Sequence, residues 1–195
     1  MAKVAQRRGA GQEPEGSRAT FTIGHSTRTI PEFVELLRAG CVDCVVDIRR
    51  VPRSRTNPQY NQDVLPEDLR RYRIAYIRIA ELGGLRKRSE GVPVEVNAFW
   101  NNRSFHNYAD YALTPSFREG LDQLLQSVRI HRTAIMCAEA VWWRCHRRIV
   151  ADYLIHAGFS TYHLMGTKEV KPAILTPAAV PAADGLHYPV QGVSP

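Results

Sequence analysis

No stretch of the 195-residue chain approaches the roughly 20 consecutive apolar residues needed to cross a bilayer. The segment up to Thr20 is polar and lacks an apolar h-region, so no secretory signal is expected. Four cysteines are too few for a disulfide scaffold, and in an unsecreted chain they are expected to be reduced. The expected location is therefore cytoplasmic, without membrane contact. Acidic residues are also short, with 19 Asp and Glu against 26 Lys and Arg, a net charge of +7. Hydrophobic residues at 44% and charged residues at 23% exclude a wholly disordered or collagen-like chain. The length suits one domain with a core of its own.

The positive charge is concentrated. Between Cys41 and Arg88 lie eleven basic and six acidic residues, leaving +5 of the total there. Clustered cations raise the local potential and release counterions on binding, which points to nucleic acid or a phosphorylated small molecule. The plainer alternative is a solvated basic face.

Residues 1–19 carry Gly, Arg, Glu and Gln without periodicity and read as a flexible tail. Residues 169–195 are rich in Pro and Ala and read as a second tail. The span 20–168 between them alternates strand and helix signals. Short strands are predicted at Phe21–Ile23, Cys41–Ile48, Ala75–Ile79, Thr133–Met136 and Ser160–Leu164. Thr29 and Glu32 make a capping box for one helix, with Gly40 closing it. Leu65-Pro66-Glu67 starts a short helix, Thr114-Pro115 opens an amphipathic one, and another runs from Cys145 to Ala157. Residues 80–112 show no regular pattern. This alternation predicts an α/β fold, a single domain with a mainly parallel sheet of about five strands and helices on both faces.

Ligands of such sheets bind beyond the carboxyl ends of the strands. Read at those ends, the sequence supplies His25 and Ser26, then Asp47 and Arg49, then Cys137 and Glu139, and finally His163. The segment Cys137-Ala-Glu-Ala-Val-Trp-Trp-Arg-Cys-His-Arg147 is the densest. A thiol between a strand end and a helix amino-terminus has its pKa lowered and becomes a nucleophile. On this reading Cys137, Glu139, His146, His25 and Asp47 carry the chemistry, and Ser26, Arg49, Arg55, Arg144 and Arg147 hold an anion. Six residues separate Cys137 from Arg144 and none is glycine, which weakens a thiol-phosphatase cradle.

A divalent metal held by Cys137, Cys145 and His146, with Glu139 and His163 as further ligands, is an alternative use of the same residues. Cys41 and Cys44 lie at the opposite pole and read as buried core thiols. Asp47 could equally be a structural partner of Arg49 or Arg55. Trp100, Trp142, Trp143, Tyr108 and Tyr111 could stack a base or simply fill the core.

Taken together, T-I-G-H-S (22–26), V-D-I-R-R-V-P-R-S-R (46–55), E-L-G-G-L-R (81–86) and C-A-E-A-V-W-W-R-C-H-R (137–147) resemble the family called domain of unknown function 488. The resemblance spans about 21–168 and picks out Gly24, Pro52, Ser54, Gly83 and Gly84 beside the residues above. It implies no reaction. Two expectations therefore stand: an enzyme, thiol- or metal-dependent, acting on a phosphorylated or nucleic-acid substrate, and a noncatalytic nucleic-acid-binding module using the basic 49–88 stretch.

Overall fold

The computed structural model describes residues 19–190. The expected amino-terminal tail lies, but for Ala19, outside the described residues. Six strands form one sheet in the order β3-β2-β4-β1-β5-β6. They are β1 (Thr20–Gly24), β2 (Cys44–Asp47), β3 (Ala75–Arg78), β4 (Thr133–Cys137), β5 (Thr161–Gly166) and β6 (Glu169–Pro172). The first five pair in parallel, and β6 returns antiparallel along β5. The five-strand expectation thus gains a sixth.

Helices cover both faces. Val45, Ala134 and Met136 turn to one face and join Phe33, Val34 and Leu37 of α1 (Ile30–Ala39) and Leu65 and Leu69 of α2 (Leu65–Arg70). Their neighbours Cys44, Val46 and Ile135 turn to the other face. There they meet α3 (Arg103–Tyr111), α4 (Pro115–Ile130) and α5 (Arg147–His156). This alternation follows from the two-residue repeat of a strand buried on both sides.

Both predicted helix starts are present. Thr29 and Glu32 exchange the capping-box bonds, and Thr114 caps α4 by accepting from the Phe117 amide. At the end of α1 the left-handed residue is Cys41, with φ 50°, and not Gly40. Gly40 is needed instead for space, since a Cβ there would lie 2.9 Å from the Phe21 ring. Cys41 is consequently exposed, a correction to its reading as a core thiol, while Cys44 is buried.

Two other segments differ from expectation. Within 80–112, Asn102 caps the nine-residue helix α3, whose Tyr108 and Ala109 enter the core. The carboxyl-terminal stretch read as a tail is packed onto the domain as far as Tyr188, and its residues 191–195 lie outside the described residues. After β6, the hairpin β7 (Val180–Ala182) and β8 (Gly185–His187) leads to a fully buried Tyr188. Tyr188 donates to Asp152 Oδ2 at 3.1 Å, and the Tyr153 hydroxyl accepts from the Leu186 amide at 2.9 Å. No helix among the described residues is long and apolar enough to cross a membrane.

Strand order fixes where a ligand can sit. The chain leaves β1 toward β2 on one side and leaves β4 toward β5 on the other, although β1 and β4 are neighbours. Their carboxyl ends therefore splay apart, which is the switch point of a doubly wound sheet.

Candidate functional site

β4 ends in Cys137 beside that switch point, and the following turn is held from several directions. The amides of His25 and Ser26 donate to the carbonyls of Cys137 and Ala138, both at 2.9 Å, continuing the β1–β4 ladder past the strands. The fully buried Arg147 donates from Nη1 to the Glu139 carbonyl at 2.6 Å and from Nη2 to the Ala140 carbonyl at 2.9 Å. Arg147 was expected to hold an anion. Its buried fork is committed to the backbone, so it positions the loop instead. Gly24 completes the fit, because a Cβ there would collide with the Glu139 carbonyl oxygen at 1.8 Å.

The loop so fixed presents three groups to one another. The Cys137 thiol donates to Glu139 Oε2 at 2.9 Å. His146 Nδ1 lies 3.9 Å from Cys137 Sγ and 3.8 Å from Cys145 Sγ. His146 Nε2 lies 3.2 Å from the Ile48 carbonyl, which can only accept. In the neutral ring the proton therefore sits on Nε2, and Nδ1 turns its lone pair toward the sulfurs. Gly84 leaves room for the ring, since a Cβ there would approach Nδ1 to 2.8 Å. Tyr108 packs against it with centroids 4.8 Å apart.

An open cleft of about 290 Å³ lies over these groups. Cys137, Glu139 and His146 line it together with Arg49, Arg50, Arg144, Tyr108, Phe105 and Gly84. Arg144 is exposed at its rim.

The second strand contributes through a buried ion pair. Asp47 is fully buried and accepts from Arg49 Nε at 2.9 Å, Arg49 Nη2 at 2.6 Å, the Arg49 amide at 3.0 Å and the Tyr76 hydroxyl at 2.7 Å. With its oxygens filled and no place in the cleft lining, Asp47 serves as the structural partner of Arg49. Arg49 Nη2 also donates to the Tyr60 carbonyl and Nη1 to His25 Nε2. Four of its five N–H groups are thus spent, leaving one N–H and a fixed charge for the cleft.

His25 Nε2 must accept from that guanidinium, so its proton is on Nδ1, donating to the Ser26 carbonyl at 2.8 Å. Burial, reinforced by Arg49, lowers the His25 pKa to about 4. His25 therefore buttresses Arg49 as a neutral ring, and it lines, with Ser26 and Arg53, a neighbouring depression that shares Arg49 with the cleft.

The remaining expected site residues fall outside the cleft. Arg55 is exposed and borders neither depression. His163 is inside β5, opposite Thr22, and not at the strand end. Its Nδ1 bonds the Thr22 hydroxyl at 2.8 Å, its ring stacks on Trp142 at 4.3 Å, and burial lowers its pKa to about 4. Within the described residues, the His and Cys atoms close enough to share a metal belong to Cys137, Cys145 and His146, whose ligand atoms all lie within 4.8 Å of one another.

The electrostatics reverse one expectation. The Cys145 thiol and burial push the Cys137 thiol well above its ordinary range, against the smaller opposing pull of His146. The lowering anticipated from a helix amino-terminus does not arise, because α5 begins only at Arg147, after a 3-10 turn at Trp142–Arg144. Burial works to raise Glu139, but the thiols of Cys137 and Cys145 and the His146 ring hold the carboxyl below its ordinary value. For His146, burial pulls the pKa down while Cys137, Glu139 and the Ile48 carbonyl raise it, and the net direction is up.

Arg50 and Phe105 also line the cleft, unassigned by the sequence, and so does Tyr108, which the sequence offered as a stacking or core aromatic. For Phe105 and Tyr108 the signal was present: Asn102 as a cap followed by Phe105, Tyr108, Ala109 and Ala112 at helical spacing.

Fold and site together define a mainly parallel α/β protein whose Cys–Glu–His cluster lies in an arginine-rimmed cleft at the strand carboxyl ends. The chain belongs to the family described as Domain of unknown function DUF488, whose model matches residues 29–154. Three of the four sequence motifs lie inside that match, and 22–26 lies just before it. Comparison with curated proteins and with solved structures finds no match.

Proposed function

We propose that the protein is an enzyme acting on a small phosphorylated substrate by displacement at phosphorus. The observation that carries this reading is the joint lining of one open cleft by Glu139, Cys137 and His146 with Arg49, Arg50 and Arg144. A phosphoryl group placed there has its charge opposite three guanidinium groups, which stabilise charge on the oxygens as the bond to the leaving group breaks. Glu139, ionised at neutral pH, accepts the proton of the attacking water or hydroxyl. That proton passes on to the leaving oxygen.

The size of the cleft favours a small ligand over a duplex, being at the lower end of the roughly 300–1,000 Å³ usual for small-molecule sites. The basic stretch keeps its net charge, but several of its guanidinium groups are already engaged. Arg70 and Arg71 pair with Glu67 and Asp68, and Arg86 donates to the carbonyls of Ala80, Glu81 and Gly83.

The test is turnover of a panel of phosphomonoesters, phosphodiesters and 5′-phosphorylated oligonucleotides by the full chain and by Glu139→Gln. The reading expects release from a small phosphate ester that Glu139→Gln reduces by about 100-fold or more. No turnover of any small ester, or equal turnover by the variant, overturns it. Salt-sensitive binding of the oligonucleotides without turnover would favour the nucleic-acid-binding module.

A further inference from the structure

Cys137, Cys145 and His146 come from a strand end, an extended residue and the turn entering α5, yet their ligand atoms converge. Cys145 owes this to its extended backbone, with φ −127° and ψ 141°. It precedes the helix and does not begin it, as the sequence had suggested. A tetrahedral zinc with Zn–S of about 2.3 Å and Zn–N of about 2.0–2.1 Å sets each sulfur about 3.5 Å from the nitrogen. The two S···N distances here, 3.9 and 3.8 Å, need to close by only a few tenths of an ångström.

In its neutral form His146 is the ligating tautomer, since the Ile48 carbonyl fixes the proton on Nε2 and turns Nδ1 toward the two sulfurs. A backbone partner on the far nitrogen is the usual support of a metal-bound imidazole. Gly84 and Tyr108 hold the ring from the sides.

We propose that Cys137, Cys145 and His146 form a three-ligand site for Zn²⁺ whose fourth position opens into the cleft. Two thiolates and a neutral imidazole cancel the charge of the dication, so its burial leaves no net charge. Each thiol gives up its proton to solvent as its S–Zn bond forms, and no oxidation or reduction occurs. Glu139, relieved of the Cys137 proton, then faces whatever occupies the open position. Three protein ligands and one open position are the mark of a catalytic rather than a structural zinc. The site goes beyond the phosphoryl-transfer reading and does not depend on it.

The test uses the full chain stripped with chelator and titrated with Co²⁺ as a spectroscopic probe, without any substrate. One Co²⁺ per chain is expected, with a thiolate-to-cobalt absorption band and tetrahedral visible bands, both displaced by Zn²⁺. Cys145→Ser and His146→Gln should weaken binding by more than about 100-fold, beyond what loss of an outer hydrogen bond to a ligand costs. Cys41→Ser, altering an exposed thiol far from the site, should bind normally.

Absence of the thiolate band in the wild-type chain, or equal binding by Cys145→Ser and Cys41→Ser, overturns the proposal. If the site variants do not fold, iodoacetamide labelling of the wild type decides. Zn²⁺ must slow alkylation of Cys137 and Cys145 while leaving Cys41 unchanged, and equal slowing or none refutes the site. A chain that binds cobalt but turns over no phosphate ester would overturn only the enzymatic reading. Turnover without a cobalt site would overturn only this one.

Discussion

Asp47→Asn tests the support beneath the cleft, because this one carboxylate holds Arg49 in place. The substitution leaves the shape nearly unchanged and removes the one negative charge that, among the described residues, is bonded to a guanidinium that is 5% exposed. Three bonds from Arg49 and one from Tyr76 lose an ionised acceptor. Removing one partner of such a buried pair costs about 3–5 kcal/mol, several times the value of an exposed pair. For a chain of this length that corresponds to a melting point lower by about 6–20 °C. Urea unfolding followed by circular dichroism measures the free energy, and a thermal melt checks it. The double variant Asp47→Asn/Arg49→Met no longer buries an unpaired charge and should be more stable than Asp47→Asn alone. A loss below about 1 kcal/mol, as for a solvent-exposed pair, would refute this account of Arg49.

Three further outcomes follow from the same geometry. Because burial holds His163 neutral with a pKa near 4, the unfolded chain binds its proton first as pH falls. Stability should therefore be intact above about pH 6.5 and fall by up to about 3 kcal/mol toward pH 4, with His25 adding in the same window. His163→Gln should flatten this slope in urea titrations at several pH values, and an unchanged slope would count against it. Gly84→Ala should cost about 1–3 kcal/mol by pressing a methyl group against His146. Gly91→Ala, with open space around it, should cost none of that, and equal melting points for the two would remove the packing argument. Arg144→Ala should weaken binding of inorganic phosphate about tenfold, as loss of a charge-assisted bond implies, while Arg55→Ala leaves it unchanged. Calorimetry on both variants distinguishes them, and the reverse ranking would misplace the anion site.

Much of the sheet was legible because its strands are short apolar runs between helix caps, and the Thr29–Glu32 box and Thr114-Pro115 start are local signals. α3 was not read because Gly83, Gly84, Gly91 and Pro93 break up the residues before it, although its own spacing is helical. The carboxyl-terminal segment departs from expectation for a physical reason. Its prolines suggest a tail, but Pro172 lies in β6 at the edge of the large sheet and Pro181 in a two-stranded ribbon. Proline is tolerated in edge strands because no ladder bond is lost. The burial of Leu186 and Tyr188 depends on partners in α5 and residues 96–99, far away in sequence.

The same limit explains the site. Strand ends located Cys137, Glu139, Arg49 and His25, since topology places them. Where each side chain spends its hydrogen bonds is not a property of order along the chain. Arg147 and Arg144 look alike in sequence, yet one is fully buried beneath carbonyls and the other exposed at the cleft rim. His163 and His146 differ in the same way. One is enclosed by Thr22 and Trp142, and the other faces two thiols.

The central claim is that arginines following β2 and β4 make one place for a phosphate beside Cys137, Glu139 and His146. Titration of the full chain with inorganic phosphate, compared with an Arg50→Ala/Arg144→Ala double variant at low and high salt, measures it most directly. Saturable binding of one phosphate per chain, weakened by salt and reduced at least about tenfold in the variant, is the predicted result. No binding, or equal binding by the two proteins, would contradict it.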